Sequence, residues 1–287
     1  MFQNTLTLPN GVAVPQLALG TWLIDDGVAA DAVKAAIRLG YRHIDTAQAY
    51  GNERGVGEGV RTGGVPREQI FVTTKVAAEH KDYRSAAAGI DESLSKLGLD
   101  YIDMMIIHSP QPWMEVNQSE NRYYEGNLEA WRALTDAYRA GKLRAIGVSN
   151  FLQDDIENLW QNAEVRPMVN QVLCHIANTP LELIEYCQRK GIVMEAYSPV
   201  AHGEAMKLPV IREMAGKYGV TVPQLCIRYD LQLGMIVLPK TANPAHMQSN
   251  AEVEFVISDD DMETLKHVER IGNYGDASFF PVFGGKL

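Results

Sequence analysis

The chain of 287 residues carries a formal net charge of −10 and has a hydrophobic fraction of 46%. This composition is typical of a globular protein, and the lack of a basic run argues against nucleic-acid grooves and anionic membrane patches. No apolar run approaches the ~20 residues that span a bilayer, and the N-terminal residues lack a signal-peptide pattern. Because the three cysteines include no C-x-x-C pair, we expect a soluble, cytoplasmic protein with reduced thiols.

The first element predicted along the chain is a hairpin. The segment TLTLPNGVAV alternates apolar and polar residues around Asn10-Gly11, which predicts two strands joined by a primed turn. Short runs rich in Val and Ile then alternate with helical patterns. The predicted strands lie near residues 16–20, 42–46, 70–75, 102–107, 144–148, 168–172, 192–196 and 235–238. The clearest predicted helices are 28–39, 84–97, 128–140 and 181–190, each followed by a glycine suited to a helix C-terminus.

Eight buried strands that alternate with helices predict a (β/α)8 TIM barrel with an N-terminal β-hairpin, formed as one domain by residues 1–287. A doubly wound open sheet is the alternative, but no G-x-G-x-x-G follows the first strand. Two segments are additional to the repeat, a long loop at 109–127 and an aromatic tail at 271–287. The tail either caps a pocket at the barrel mouth or packs against the barrel wall.

Polar side chains lie where several predicted strands end, and the C-terminal strand ends of a barrel converge on one mouth. Three consecutive strands supply Asp45 with the nearby Tyr50, then Lys75, then His108. A tyrosine has a reference pKa near ~10, which is high for a proton donor at neutral pH, and a nearby ammonium group lowers it. We therefore expect Asp45 to hold Lys75, Lys75 to tune Tyr50 as the acid catalyst, and His108 to orient a substrate oxygen.

With these residues placed, the chain resembles the aldo-keto reductase family from residue 5 to nearly the C-terminus. The motifs that carry the resemblance are GTW at 20–22, HIDTAQAYGNE at 43–53, Lys75, IIHSP at 106–110, GVSNF at 147–151, NQ at 170–171, AYSP at 196–199 and LPKT at 238–241. The resemblance implies NAD(P)H-dependent reduction of an aldehyde or ketone to an alcohol. The hydride would come from nicotinamide C4 and the proton from Tyr50, and Asp45, Tyr50, Lys75 and His108 match the catalytic tetrad.

The resemblance also implies a cofactor site. Its residues would be Thr21, Trp22, Ser149, Asn150, Gln171, Tyr197, Ser198, Val200, Gly203, Lys240, Thr241, His246 and Asn250. Tyr197 would stack on the nicotinamide, while Ser149, Asn150 and Gln171 would bond its carboxamide. The short loop 198–203 would lie along the pyrophosphate.

The sequence departs from the family pattern at the adenosine phosphate. Lys240 and Thr241 are suited to a 2′-phosphate, but His246 replaces an arginine and lacks its forked, permanent charge. We therefore expect NADPH as cofactor, with NADH as an alternative. The substrate pocket is predicted to include Trp22, Trp113 and Phe279, and its substrate stays open among small aldehydes, ketoses, dicarbonyls and keto esters.

Two other functions compete with a reductase. A catalytically silent barrel that binds a cofactor in a regulatory or structural role would be favoured by loss of a tetrad residue, but all four are present. A metal-assisted hydrolase needs clustered His and carboxylate ligands at several strand ends. Only His108 and His175 lie near strand ends, so no metal site is predicted. We expect a small-molecule substrate, no nucleic-acid or membrane partner, and a monomer.

Overall fold

Eight parallel strands form the centre of the computed structural model, which describes residues 4–284. Their order in the sheet is their order in the chain, and parallel bridges at Leu17–Val237 and Gly20–Lys240 bring the last strand to the first. The result is a nearly closed barrel, which confirms the predicted fold class. The strands are β1 Thr5–Thr7, β2 Ala13–Pro15, β3 Leu19–Gly20, β4 His43–Asp45, β5 Phe71–Val76, β6 Ile102–Ile107, β7 Leu143–Ser149, β8 Val169–Leu173, β9 Val193–Tyr197 and β10 Ile236–Leu238.

Helices follow the strands and cover the outside of the barrel. Gly40 and Gly98 end the first and third helices with φ of 107° and 63°, which is the left-handed conformation that glycine adopts without steric cost. The helices are α1 Asp26–Leu39, α2 Glu53–Thr62, α3 Tyr83–Leu97, α4 Tyr124–Arg139, α5 Gln153–Asn162, α6 Leu181–Arg189, α7 Pro209–Tyr218, α8 Val222–Gln232, α9 Pro244–Ala251 and α10 Asp259–Lys266. Within residues 4–284, none of them is long and apolar enough to cross a membrane.

Strands β1 and β2 pair antiparallel, as predicted, but the turn type was predicted wrongly. The connection spans residues 8–12, and the Gly11 N–H donates to the Leu8 carbonyl at 2.8 Å. Only Gly11 of the Asn-Gly pair has a positive φ, of 86°, whereas a primed turn needs both. Pro9 explains the difference, because its fixed φ suits the second position of an ordinary turn that starts one residue earlier.

The loop at 109–127 and the tail meet above the barrel mouth. A salt bridge between Arg122 and Asp155 fixes the loop to α5. Lys81 donates to the Ser109 carbonyl at 2.7 Å, and Asn117 Nδ2 donates to the Pro281 carbonyl of the tail at 2.9 Å. Both segments are therefore held to the barrel and to each other at the end where the polar strand residues converge.

Candidate active site

Asp45 and Lys75 lie on neighbouring strands and form an ion pair inside the barrel. Lys75 Nζ is 2.6 Å from Asp45 Oδ1, 2.9 Å from the Thr46 carbonyl oxygen and 3.3 Å from the Tyr50 hydroxyl. Tyr50 reaches this position from a short 3₁₀ turn that follows β4. The ammonium group of Lys75 is fully buried, so three oxygen acceptors replace its hydration shell.

The surroundings of Lys75 and Tyr50 raise the pKa of both side chains, so both stay protonated at neutral pH. Burial alone would lower the pKa of Lys75, but the Asp45 carboxylate and Tyr50 outweigh it and the pKa is raised. Burial raises the pKa of Tyr50, and Lys75 acts against this shift without cancelling it. The sequence therefore predicted the direction of the Lys75 effect, but burial has the larger effect on the tyrosine. Tyr50 is a neutral donor whose conjugate base would face an ammonium group.

His108 follows β6 and lies on the other side of Tyr50. Its ring centroid is 5.6 Å from that of Tyr50 and 4.8 Å from that of Trp113. Burial, followed by the positive charges of Lys75 and Lys81, lowers the pKa of His108 well below its usual value. The imidazole is therefore neutral at pH 7 and can donate one hydrogen bond without competing with Tyr50 as an acid.

A cavity of about 310 Å³ opens beside these residues. Lys75 does not line the cavity, but its hydrogen-bond partners Asp45 and Tyr50 do. Of the residues predicted from the sequence, those that line the cavity are Thr21, Trp22, Asp45, Tyr50, His108, Trp113, Ser149, Asn150, Gln171, Tyr197, Ser198, Val200, Gly203, Lys240 and Asn250.

One wall of the cavity presents a flat ring surrounded by amide groups. The Tyr197 hydroxyl donates to Asn150 Oδ1 at 2.7 Å, and Asn150 Nδ2 donates to the His108 carbonyl at 3.0 Å. Asn150 adopts a left-handed φ of 60°, a conformation that asparagine tolerates better than most residues. Gln171 donates from Nε2 to Asp45 Oδ2 at 3.0 Å. An aromatic face beside fixed amides and the Ser149 hydroxyl fits a nicotinamide ring with its carboxamide.

The segment after β9 forms the rim next to Tyr197. Ser198, Ala201, His202 and Gly203 all have positive φ, of 53°, 49°, 53° and 94°. Three of these are not glycine, so the loop stores backbone strain of the kind found at ligand sites. His202 packs its ring 5.3 Å from that of Trp22 and lines the cavity. No sequence signal distinguished His202 from its neighbours in the loop.

The opposite wall is aromatic and comes from three separate segments. Trp113 of the long loop lies 4.7 Å from Phe280 of the tail, and Trp22 lies 5.3 Å from Phe280. Phe280 and Phe283 line the cavity, whereas Phe279, the tail residue chosen from the sequence, does not and is 71% exposed. The prediction for Phe279 needs this correction because the tail's 3₁₀ turns direct consecutive side chains to different sides.

Two of the four residues expected near an adenosine phosphate line the cavity. Lys240 is exposed and lines the cavity, and Asn250 is buried there. The Thr241 hydroxyl oxygen accepts from the Asn243 N–H at 3.0 Å, which leaves its proton available to a ligand. Thr241 and His246 do not line the cavity, and His246 is exposed on α9.

Comparison with known proteins identifies the family. A model of the "Aldo/keto reductase family" matches residues 16–270. The chain belongs to this family. It is 44% identical to an uncharacterized oxidoreductase of Bacillus subtilis (92% of each chain) and 40% identical to the glyoxal reductase of the same organism (97% of this chain, 98% of the relative). A Bombyx mori aldo-keto reductase solved in complex with NADP superimposes with a TM-score of 0.85 at 31% identity, covering 98% and 99% of the two chains.

Family membership confirms the predicted activity and cofactor class. The protein is an oxidoreductase that reduces a carbonyl group with a nicotinamide cofactor, NADPH. Within the described range 4–284, no group of three or more His, Cys, Asp or Glu side chains is arranged to hold a metal ion.

Proposed function

We propose that Tyr50 donates the proton that converts the substrate carbonyl into an alcohol. NADPH, when bound, would supply the hydride to the carbonyl carbon. Tyr50 then transfers its hydroxyl proton to the carbonyl oxygen, and the Lys75 ammonium 3.3 Å away stabilises the phenolate that forms. Asp45 holds that ammonium in place from 2.6 Å. The observation that carries this proposal is the buried Asp45–Lys75–Tyr50 arrangement at the edge of a cavity.

Neutral His108 takes the second role at the carbonyl. Its ring faces both Tyr50 and the aromatic wall, so a carbonyl oxygen placed between the two side chains would accept one hydrogen bond from each. Two donors stabilise the negative charge that develops on this oxygen as the hydride arrives. The aromatic residues around them exclude water and strengthen that interaction.

The proposed cofactor site extends from Gln171 to Lys240. Tyr197 would stack on the nicotinamide, with Ser149, Asn150 and Gln171 at its carboxamide. Lys240 would contact the 2′-phosphate with help from Thr241, while exposed His246 has no permanent charge to add. We therefore propose preference for NADPH with substantial use of NADH.

The proposed substrates are small aldehydes and dicarbonyls. The substrate end of the cavity is bounded by Trp22, Trp113 and Phe280, and the whole cavity of about 310 Å³ must also hold the nicotinamide end of the cofactor. The space left beside Tyr50 therefore favours a compact substrate. The similarity to a glyoxal reductase supports this choice.

The test is to follow nicotinamide absorbance with purified protein, NADPH or NADH, and a panel that includes glyoxal, methylglyoxal, an aldose and a keto ester. We expect turnover of the small carbonyls, and Tyr50→Phe is the control for a contaminating enzyme. If the protein binds the cofactor but no carbonyl in the panel leads to oxidation of NADPH or NADH, the result would instead support the second function, a silent cofactor-binding barrel.

We also propose that residues 1–287 act as one domain and as a cytoplasmic monomer. The three buried, unpaired cysteines support a reducing compartment. The net charge of −10 supports the absence of a nucleic-acid partner. Light scattering tests the monomer, and a single cooperative unfolding transition tests the single domain.

A further inference from the structure

A second buried carboxyl group, that of Glu195, lies next to the proposed cofactor site. Glu195 is in the centre of β9, and its parallel partner on β8 is Gln171. Paired residues on adjacent strands direct their side chains to the same face, here the barrel interior. Glu195 has no exposed surface and does not line the cavity, whereas Gln171 does. Glu195 contacts the cavity lining through its hydrogen bond with Gln171, so we expect an effect of Glu195 on a ligand to pass through that residue.

Both amide hydrogens of Gln171 are used by carboxyl groups. Nε2 donates to Glu195 Oε2 at 2.8 Å and to Asp45 Oδ2 at 3.0 Å. This leaves Oε1 as the side-chain atom of Gln171 that is available to the cavity. A flipped amide would place Oε1 against the Asp45 carboxylate, which has no proton to donate, and would remove both N–H donations, so the present orientation is the one that satisfies both acids.

Glu195 can occupy this position because it does not need to be charged. Burial, followed by the negative charge of Asp45, raises the pKa of Glu195 to about 8, while Gln171 and Lys75 lower it. At pH 7 the neutral acid accepts from Gln171 through Oε2 without adding a second negative charge beside Asp45. Its other oxygen, Oε1, has no hydrogen-bond partner among residues 4–284, so the hydrogen bond through Oε2 is the polar contact that compensates for its burial.

We propose that Glu195 is a positioning residue for the cofactor. By accepting from Gln171 Nε2, it keeps Gln171 Oε1 directed at the place where the amide N–H of the nicotinamide carboxamide binds. The inference rests on the proposed function, in which Gln171 holds that carboxamide. It adds a residue that acts from behind the cavity wall on the orientation of the nicotinamide.

The test compares two ligands that differ at the nicotinamide. Glu195→Met removes the acceptor and keeps most of the side-chain volume, and Glu195→Ala gives the same test if the methionine variant does not fold. We expect the Kd of NADPH to rise about 3- to 10-fold, the effect of one lost hydrogen bond. The Kd of 2′-phospho-ADP-ribose, which lacks the nicotinamide, should stay within about twofold of wild type. Glu195→Gln keeps a neutral acceptor and should bind NADPH within about twofold of wild type.

A double-mutant cycle tests whether the effect passes through Gln171. In a Gln171→Met background, Glu195→Met should add less than about twofold to the Kd of NADPH. Asp230→Asn is the matched control, because Asp230 is also a fully buried carboxyl, contacts Cys174 Sγ at 3.6 Å and does not line the cavity. It should leave the Kd unchanged.

Three results would overturn the proposal: an unchanged NADPH Kd in Glu195→Met, equal weakening of NADPH and 2′-phospho-ADP-ribose, or additive effects with Gln171→Met. Because the readout is binding, it stays separate from the proposed function. A wild-type protein that reduces no carbonyl would refute the reductase mechanism, and the two Kd values would still decide the role of Glu195.

Discussion

Replacing Tyr50 by phenylalanine removes the proposed proton donor and one of the three oxygen acceptors of the Lys75 ammonium. The ring contacts with His108 at 5.6 Å and with Lys75 Nζ at 4.9 Å need only the ring, which phenylalanine keeps. A unit charge 3.3 Å from the phenolic oxygen would stabilise the phenolate by roughly 5 kcal/mol at an effective dielectric constant of about 20. Asp45, bound to the same ammonium, reduces this value. General acid catalysis is typically worth about 10²- to 10⁴-fold, so we expect a fall of about 10³-fold in the rate of the chemical step.

The assay is single-turnover oxidation of bound NADPH, because product release can limit the steady-state rate and hide the effect. The Kd of NADPH should stay within about twofold of wild type, since phenylalanine keeps the cavity wall intact. If Tyr50→Phe retains more than about a third of the wild-type single-turnover rate, general acid catalysis by this residue is refuted.

Three further predictions follow from the same geometry. Lys75→Met should slow single-turnover reduction by at least about 10²-fold. It should also move the alkaline limb of the pH–rate profile to higher pH, because Lys75 lowers the pKa of Tyr50. An unmoved limb would contradict this role. His246→Arg should lower the Kd of NADPH by about 3- to 10-fold and leave that of NADH unchanged; equal shifts for both cofactors would place His246 away from the phosphate. Gly57→Ala should cost about 3 kcal/mol or more of unfolding free energy, since its Cβ would lie 2.0 Å from a carbonyl oxygen of α3. Gly27→Ala, with nothing within 4 Å, should be neutral or stabilising in denaturant titrations.

Much of the barrel could be predicted because its signals are local. Buried parallel strands appear as short Val- and Ile-rich runs, and glycines such as Gly40 and Gly98 mark where helices end. The strand-end positions of Asp45, Lys75 and His108 follow from the barrel geometry, since each strand contributes its last residues to one mouth. The first strand was the weakest case, because only Leu19–Gly20 form a regular strand and the preceding contact is a single bridge.

Side-chain partners across the barrel could not be predicted in the same way. Glu195 lies inside the predicted strand 192–196, and an acid in a buried run gives no sign in the sequence of which neighbour it faces. Its contact with Gln171 depends on the register of β8 and β9, and the contact of Gln171 with Asp45 crosses 126 positions of sequence. The same limit affected the tail, where exposed Phe279 is followed directly by Phe280 at the cavity. Sequence motifs therefore locate residues that meet the ligand, while residues that orient them from the barrel interior emerge only when strand register is known.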